Sequence, residues 1–129
     1  MKTVGLVMHS RINSTRCKNK MLRKFSRSSL FEIQLKKLNF IKNKYNFNVY
    51  CAIGENKLIT IAKKYKNIQV ILRNKKSVNA DKINLVYNYL NQIPEENICF
   101  INACAPLLEI NTLHEAVNFF LSSKVKSLT

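Results

Sequence analysis

Glycine is almost missing from this sequence: it occurs twice, at Gly5 and Gly54, and none lies between residues 6 and 53. That gap excludes the two common glycine-built phosphate loops, G-x-x-x-x-G-K-[ST] and G-x-G-x-x-G, behind the first apolar segment. Proline also occurs only twice, and so few chain breakers argue for ordered structure over a tail or linker. No run approaches the roughly 20 apolar residues of a membrane span. TVGLVM is too short for the apolar region of a signal peptide. The expectation is a soluble, cytoplasmic protein with no membrane partner. Cys17, Cys51, Cys99 and Cys104 form no C-x-x-C pair and have no histidine at zinc spacing. Cys51 and Cys99 lie in apolar runs and read as small core residues of a reducing compartment. Cys17 lies among cations, yet no specific base accompanies it as a nucleophile would require.

Acidic residues are scarce too. Seven Asp and Glu stand against 22 Lys and Arg, giving a formal charge of +15. A polyanion such as RNA would suit that balance. However, lysines such as Lys36, Lys37, Lys63 and Lys64 are scattered over helix faces, and aromatics are not interleaved with them as in a base-stacking module. The chain is also heavy in Lys, Asn and Ile, as AT-rich coding would produce. The charge therefore reads mainly as solvated surface. Nucleic acid is not the expected partner, and a basic RNA-binding domain is kept as an alternative.

What is present is alternation. At 129 residues and 47% hydrophobic, the chain is expected to form a single domain over residues 1–129 with a core of its own. KTVGLVMH, NVYCAI, IQVILR and NICFIN read as buried strands. Between and after them, SSLFEIQLKKLNFI, NKLITIAKKY, ADKINLVYNYLNQI and NTLHEAVNFFLSS read as helices. Ser29 with Glu32, and Thr112 with Glu115, are spaced as capping boxes, and Asn56 as a cap. Tyr87, Tyr89, Phe119 and Phe120 read as core or interface. KVKSLT could begin a fifth strand. Four β-then-α units imply a Rossmann-like parallel sheet with helices on both faces and right-handed crossovers, in strand order 3-2-1-4. Ligands of such sheets bind outside the carboxyl ends of the strands, where the order reverses. The loops meeting there are SRINSTRCKNK and NACAPLL. His9, at the end of the first strand, can line that crevice or pack in the core.

Without glycine, the first loop must hold phosphate by side chains. Arg11 and Arg16 supply forked donors, Lys20 a movable charge, and Ser14 and Thr15 neutral donors. Such a set suits a triphosphate on which charge grows as pyrophosphate leaves.

The pattern R-x-x-S-x-R-x-x-x-K, carried by Arg11, Ser14, Arg16 and Lys20, resembles the signature loop of the sugar cytidylyltransferases. These include the acylneuraminate, CMP-Kdo and spore-coat polysaccharide enzymes. Arg73 after the third strand, Asp81 beyond it, and INACAPLLEINTLHEAVNFF around Asn102 extend the likeness over nearly the whole chain. The resemblance implies a nucleotide-diphospho-sugar transferase type of fold. It implies transfer of CMP from CTP to an acidic sugar for surface polysaccharide biosynthesis, with Mg²⁺ and release of pyrophosphate. Arg11 and Lys20 would be catalytic, Ser14 and Arg16 would join them on the phosphates, and Arg73 and Asn102 would hold the nucleoside. Asp81 is the one acid placed near the crevice, as a metal ligand or a helix cap. The family's Pro-Gly before the lysine is replaced by Lys18 and Asn19, and its following Asn by Met21. No carboxylate lies in residues 102–106, which fits the acylneuraminate or a related branch better than the Kdo branch. The likeness sets the later metal-binding acid, the sugar-binding residues and the dimerisation segment beyond Thr129. A domain incomplete at its C-terminus is therefore expected, with an inactive nucleotide-binding remnant as the alternative. An open sheet edge near KVKSLT would permit a homodimer.

Overall fold

The structure is a computed structural model and describes residues 3–13 and 16–129. In chain order it contains β1 (Val4–His9), a short hairpin of β2 (Lys24–Phe25) and β3 (Ser28–Ser29), and α1 (Leu30–Tyr45). These are followed by β4 (Asn48–Ile53), α2 (Asn56–Ala62), β5 (Gln69–Leu72), α3 (Lys75–Val78) and α4 (Ile83–Val86). A 3-10 turn over Asn88–Gln92, then β6 (Asn97–Phe100) and α5 (Ile110–Ser122), complete it. The main sheet runs β5-β4-β1-β6, every pairing parallel, which is the expected 3-2-1-4 order of the four long strands. Val7 at its centre pairs with Tyr50 on one side and Phe100 on the other.

Alternation along the strands separates two apolar layers. Leu6, Met8, Val49, Cys51 and Ile53 bury one face under α1, α2 and α5, through Phe31, Leu35, Leu38, Ile41, Leu58, Ala62, Leu113 and Val117. Each such side chain fully removed from water is worth about 1.5–3 kcal/mol, so this face dominates the stability. Val7, Tyr50, Ala52 and Ile71 face the other way, against Tyr89 and Ile93.

That second layer departs from expectation. The helix foreseen over residues 80–93 is broken into α4 and the 3-10 turn, and a separate α3 precedes it. Tyr87 and Tyr89 both pack on His9, at ring separations of 5.2 and 5.9 Å. Residues two apart on an α-helix point to nearly opposite sides, so a continuous helix could not deliver both rings to one imidazole. The Ser77 hydroxyl also donates to the Val86 carbonyl at 2.7 Å, helping to turn the chain there.

Caps are mixed. The Ser29 hydroxyl accepts from the Glu32 N–H at 3.2 Å as foreseen, while the Glu32 carboxylate accepts from the Ser28 hydroxyl, at 3.5 Å. Helix α5 begins at Ile110 after Glu109, which places Thr112 inside it instead of at its cap. Asn56 is the first residue of α2, behind Glu55. Likewise Lys82, not Asp81, occupies the cap position of α4. KVKSLT forms no strand. Among the described residues no helix is long and apolar enough to cross a membrane.

Candidate functional site

The order of the sheet reverses at β1: β4 lies on one side of it and β6 on the other. Chain leaving β1 and chain leaving β6 therefore diverge, and a cleft of about 500 Å³ opens between them. His9, Ser10, Arg11, Asn13, Lys20 and Met21 line it from the first segment, Arg73, Ala80, Val86 and Tyr87 from the second layer, and Phe100 to Cys104 from the end of β6.

The cations occupy different settings. Arg11 is exposed, and one guanidinium nitrogen donates to the Val78 carbonyl at 3.4 Å. Lys20 is half-buried and opens a 3-10 turn whose preceding residue, Asn19, adopts the left-handed conformation at φ 54, ψ 31. Asparagine tolerates that region better than most residues because it lacks β-branching and its short amide can bond locally. Asn19, at the position where the resemblance sets a glycine, thus takes up a backbone shape that glycine adopts without strain.

Arg73 is buried, and three of its five N–H groups are committed within the protein. They donate to the Ser77 hydroxyl at 3.0 Å, the Ser77 carbonyl at 2.9 Å and the Ser10 carbonyl at 3.2 Å. The guanidinium also lies 5.6 Å from the centre of the Tyr89 ring. Burial holds its pKa below the usual arginine value. Arg73 therefore fastens the start of the basic loop to α3 while still facing the cleft. Gly54 makes this approach possible, since a β-carbon there would come within 2.6 Å of the Arg73 carbonyl oxygen and 2.5 Å of Val78 Cγ2.

Asn102 is exposed in the cleft, where its side-chain oxygen accepts from the Cys104 N–H at 2.8 Å. With the oxygen engaged, the amide NH₂ is the group available to an acceptor on a ligand. Of the other foreseen residues, Arg16 is exposed and does not line the cleft, and Ser14, with Thr15, lies outside the described residues. Asp81 is exposed beside the lining residue Ala80 and is not itself part of the lining.

Of the apolar wall, only His9 was foreseen as a lining residue. His9, Tyr87 and Phe100 meet at ring separations of 5.2 to 6.1 Å. The Tyr89 hydroxyl lies 2.8 Å from His9 Nδ1. Desolvation first, then the charges of Arg73 and Arg11, lower the His9 pKa from 6.5 to about 4, so the imidazole is neutral near pH 7. Tyr87, assigned to core or interface by its spacing, faces the cleft. The only available signal was its distance of two from Tyr89, which suits neither helix stripe.

Mg²⁺ is the metal implied by the resemblance, and it prefers one or two carboxylates together with substrate phosphates. The lining residues carry three cations and no carboxylate. Among the described residues, no group of three or more His, Cys, Asp or Glu is placed to hold a metal. These residues do not fit a metal site of their own. They fit an anion: a cationic rim, amide and hydroxyl donors, and a planar apolar wall.

Comparison with known proteins agrees with this geometry. A family model described as cytidylyltransferase matches residues 6–128. No curated protein matches the chain in sequence. Among solved structures, the chain is similar to a cytidylyltransferase from Leptospira borgpetersenii serovar Hardjo-bovis (strain JB197), with TM-score 0.74 and 23% identity over 96% of this chain and 51% of that one. It is similar to a CMP:2-keto-3-deoxy-manno-octonic acid synthetase complexed with CTP, with TM-score 0.76 and 8% identity over 95% of this chain and 48% of that one. It also resembles the bifunctional IspDF from Campylobacter jejuni, with TM-score 0.66 and 17% identity over 99% of this chain and 35% of that one. The chain thus spans about half the length of the first two. A parallel sheet that reverses at a cation-lined cleft, and a family match over almost every residue, lead to one assignment: the chain belongs to the cytidylyltransferase family.

Proposed function

We propose that the cleft binds CTP and that the chain serves transfer of CMP to an acidic, acylneuraminate-like sugar in surface polysaccharide biosynthesis. The observation that carries this reading is the lining by Arg11, Lys20 and Arg73 with no carboxylate among them, in a domain of the cytidylyltransferase family. Arg11 and Lys20 neutralise the triphosphate, Arg16 of the same loop adds charge from outside the cleft lining, and Ser14 donates a hydrogen bond to it. Asn102 and Arg73 hold the nucleoside end, Asn102 through its amide NH₂. The sugar's anomeric oxygen forms the new bond to the α-phosphorus, the bond from that phosphorus to the pyrophosphate oxygen breaks, and the hydroxyl proton is released. Charge growing on the pyrophosphate is met by the loop cations, which hold it more tightly in the transition state than in the bound nucleotide. Mg²⁺ belongs to the proposal as a companion of the nucleotide phosphates, and no step is assigned to it. A homodimer belongs to it as well, and sedimentation at several concentrations tests it.

Two measurements separate turnover from binding alone. Pyrophosphate release from CTP in the presence of an acylneuraminate-type sugar supports the transferase reading. CTP binding with no release for any acidic sugar tested supports the alternative of a nucleotide-binding module without turnover. In either case Lys20→Ala is expected to weaken CTP binding at least about tenfold, the loss of a charge-assisted contact to phosphate.

A further inference from the structure

The segment that brings Asn102 into the cleft has no regular structure between β6 and α5. Turn bonds inside it serve the Asn102 carbonyl, from the Ala105 N–H at 3.1 Å, and the Ala105 carbonyl, from the Leu108 N–H at 3.3 Å. Its further anchoring needs donors from elsewhere. One face of α1 provides them. The Gln34 amide nitrogen donates to the Asn102 carbonyl at 3.1 Å and to the Ala103 carbonyl at 3.2 Å. Three residues on, and so on the same face, Lys37 Nζ donates to the carbonyls of Ala105 at 3.3 Å, Pro106 at 2.9 Å and Leu108 at 2.7 Å.

Neither side chain behaves as its type usually does. Gln34 is fully buried, and its own carbonyl oxygen has no hydrogen-bond partner among the described residues, a cost accepted while both donors serve the segment. Lys37, which the sequence assigned to a solvated face, is half-buried and turned onto three carbonyl dipoles, and burial lowers its pKa. An ammonium held by three carbonyl oxygens occupies the place that a small cation would take in an oxygen-lined turn. It fixes the segment where a neutral residue could not bridge all three groups.

We infer that Lys37, assisted by Gln34, is a positioning residue of the nucleotide cleft: from outside the cleft it fixes the segment that presents the Asn102 amide to the ligand. Its functional consequence rests on the CTP reading above. The segment also contributes Ala103 and Cys104 to the lining, so its release alters the whole β6 side of the site at once.

The test compares wild type, Lys37→Met, which keeps the apolar stem, and Lys37→Arg, which keeps a cationic donor. Amide hydrogen exchange over residues 103–108 is read beside exchange in β1 and β4, and CTP affinity is measured on the same samples. Lys37→Met is expected to speed exchange in the segment about tenfold, with β1 and β4 unchanged, and to weaken CTP binding by a similar factor. Lys37→Arg is expected to restore part of both. Unchanged segment exchange in Lys37→Met overturns the inference. So does acceleration spread equally through β1 and β4, because that marks general destabilisation. Should Lys37→Met fail to fold, Lys37→Gln decides on the same readout: segment exchange faster than wild type, with β1 and β4 unchanged, supports the clamp, and unchanged segment exchange overturns it. If wild type itself does not bind CTP, the nucleotide reading fails, while segment exchange still decides whether Lys37 positions the loop.

Discussion

His9 closes the first strand with its ring among Tyr87, Tyr89 and Phe100, and its pKa falls from 6.5 to about 4. As pH drops, the unfolded chain takes up this proton first. The contribution is therefore fully present above about pH 6.5 and is lost progressively as pH falls toward 4. Urea unfolding from about pH 7 down to about pH 5 is expected to show a shallower loss of stability in His9→Gln than in wild type. Equal slopes would contradict the burial argument. Arg73 makes a different demand. Removing it leaves the Ser10 and Ser77 carbonyls without their donor, so Arg73→Met is expected to cost about 3 kcal/mol in urea unfolding. Arg73→Lys should recover less than half, because an ammonium cannot reproduce the guanidinium fork. A loss below about 1 kcal/mol in Arg73→Met would show that the clamp is dispensable.

At the scale of elements, Asn19 carries the clearest lesson. Glycine is absent from the loop, yet the left-handed turn ahead of Lys20 persists. Asn19→Gly is expected to leave stability nearly unchanged, whereas Asn19→Ala should cost about 1 kcal/mol by thermal or urea unfolding. Equal effects would mean that the turn does not depend on this residue's backbone. The long strands and α1 were legible because their apolar residues follow a period of two, or a spacing of three and four, without competing demands. Residues 80–93 were not, because their apolar pattern allowed a helix while His9 required Tyr87 and Tyr89 together, a contact made across 80 positions of sequence. Arg73 and Asn102 were named through the family resemblance, while topology placed only the loop of Asn102 at the crevice. The hold of Lys37 was not, because a lysine on a helix surface looks the same whether it faces water or the carbonyls of a distant loop.

For the whole molecule, +15 over 129 residues could suggest a general affinity for anions. The fold sorts that charge: Arg11, Lys20 and Arg73 line one cleft, while Lys36, Lys63 and Lys64 are exposed elsewhere. An indiscriminate basic surface would respond to any nucleotide triphosphate in proportion to its charge. A cytidine site as proposed would not, because the segment around Asn102 and the wall of Tyr87 and Phe100, which line the cleft, would meet the nucleoside and not the phosphates. The most direct measurement is therefore the melting temperature with Mg²⁺ and CTP, ATP or GTP at equal concentration, in wild type and Lys20→Ala. CTP is expected to raise it most in wild type, and Lys20→Ala is expected to abolish the rise. Equal shifts with all three nucleotides would contradict the cytidine reading.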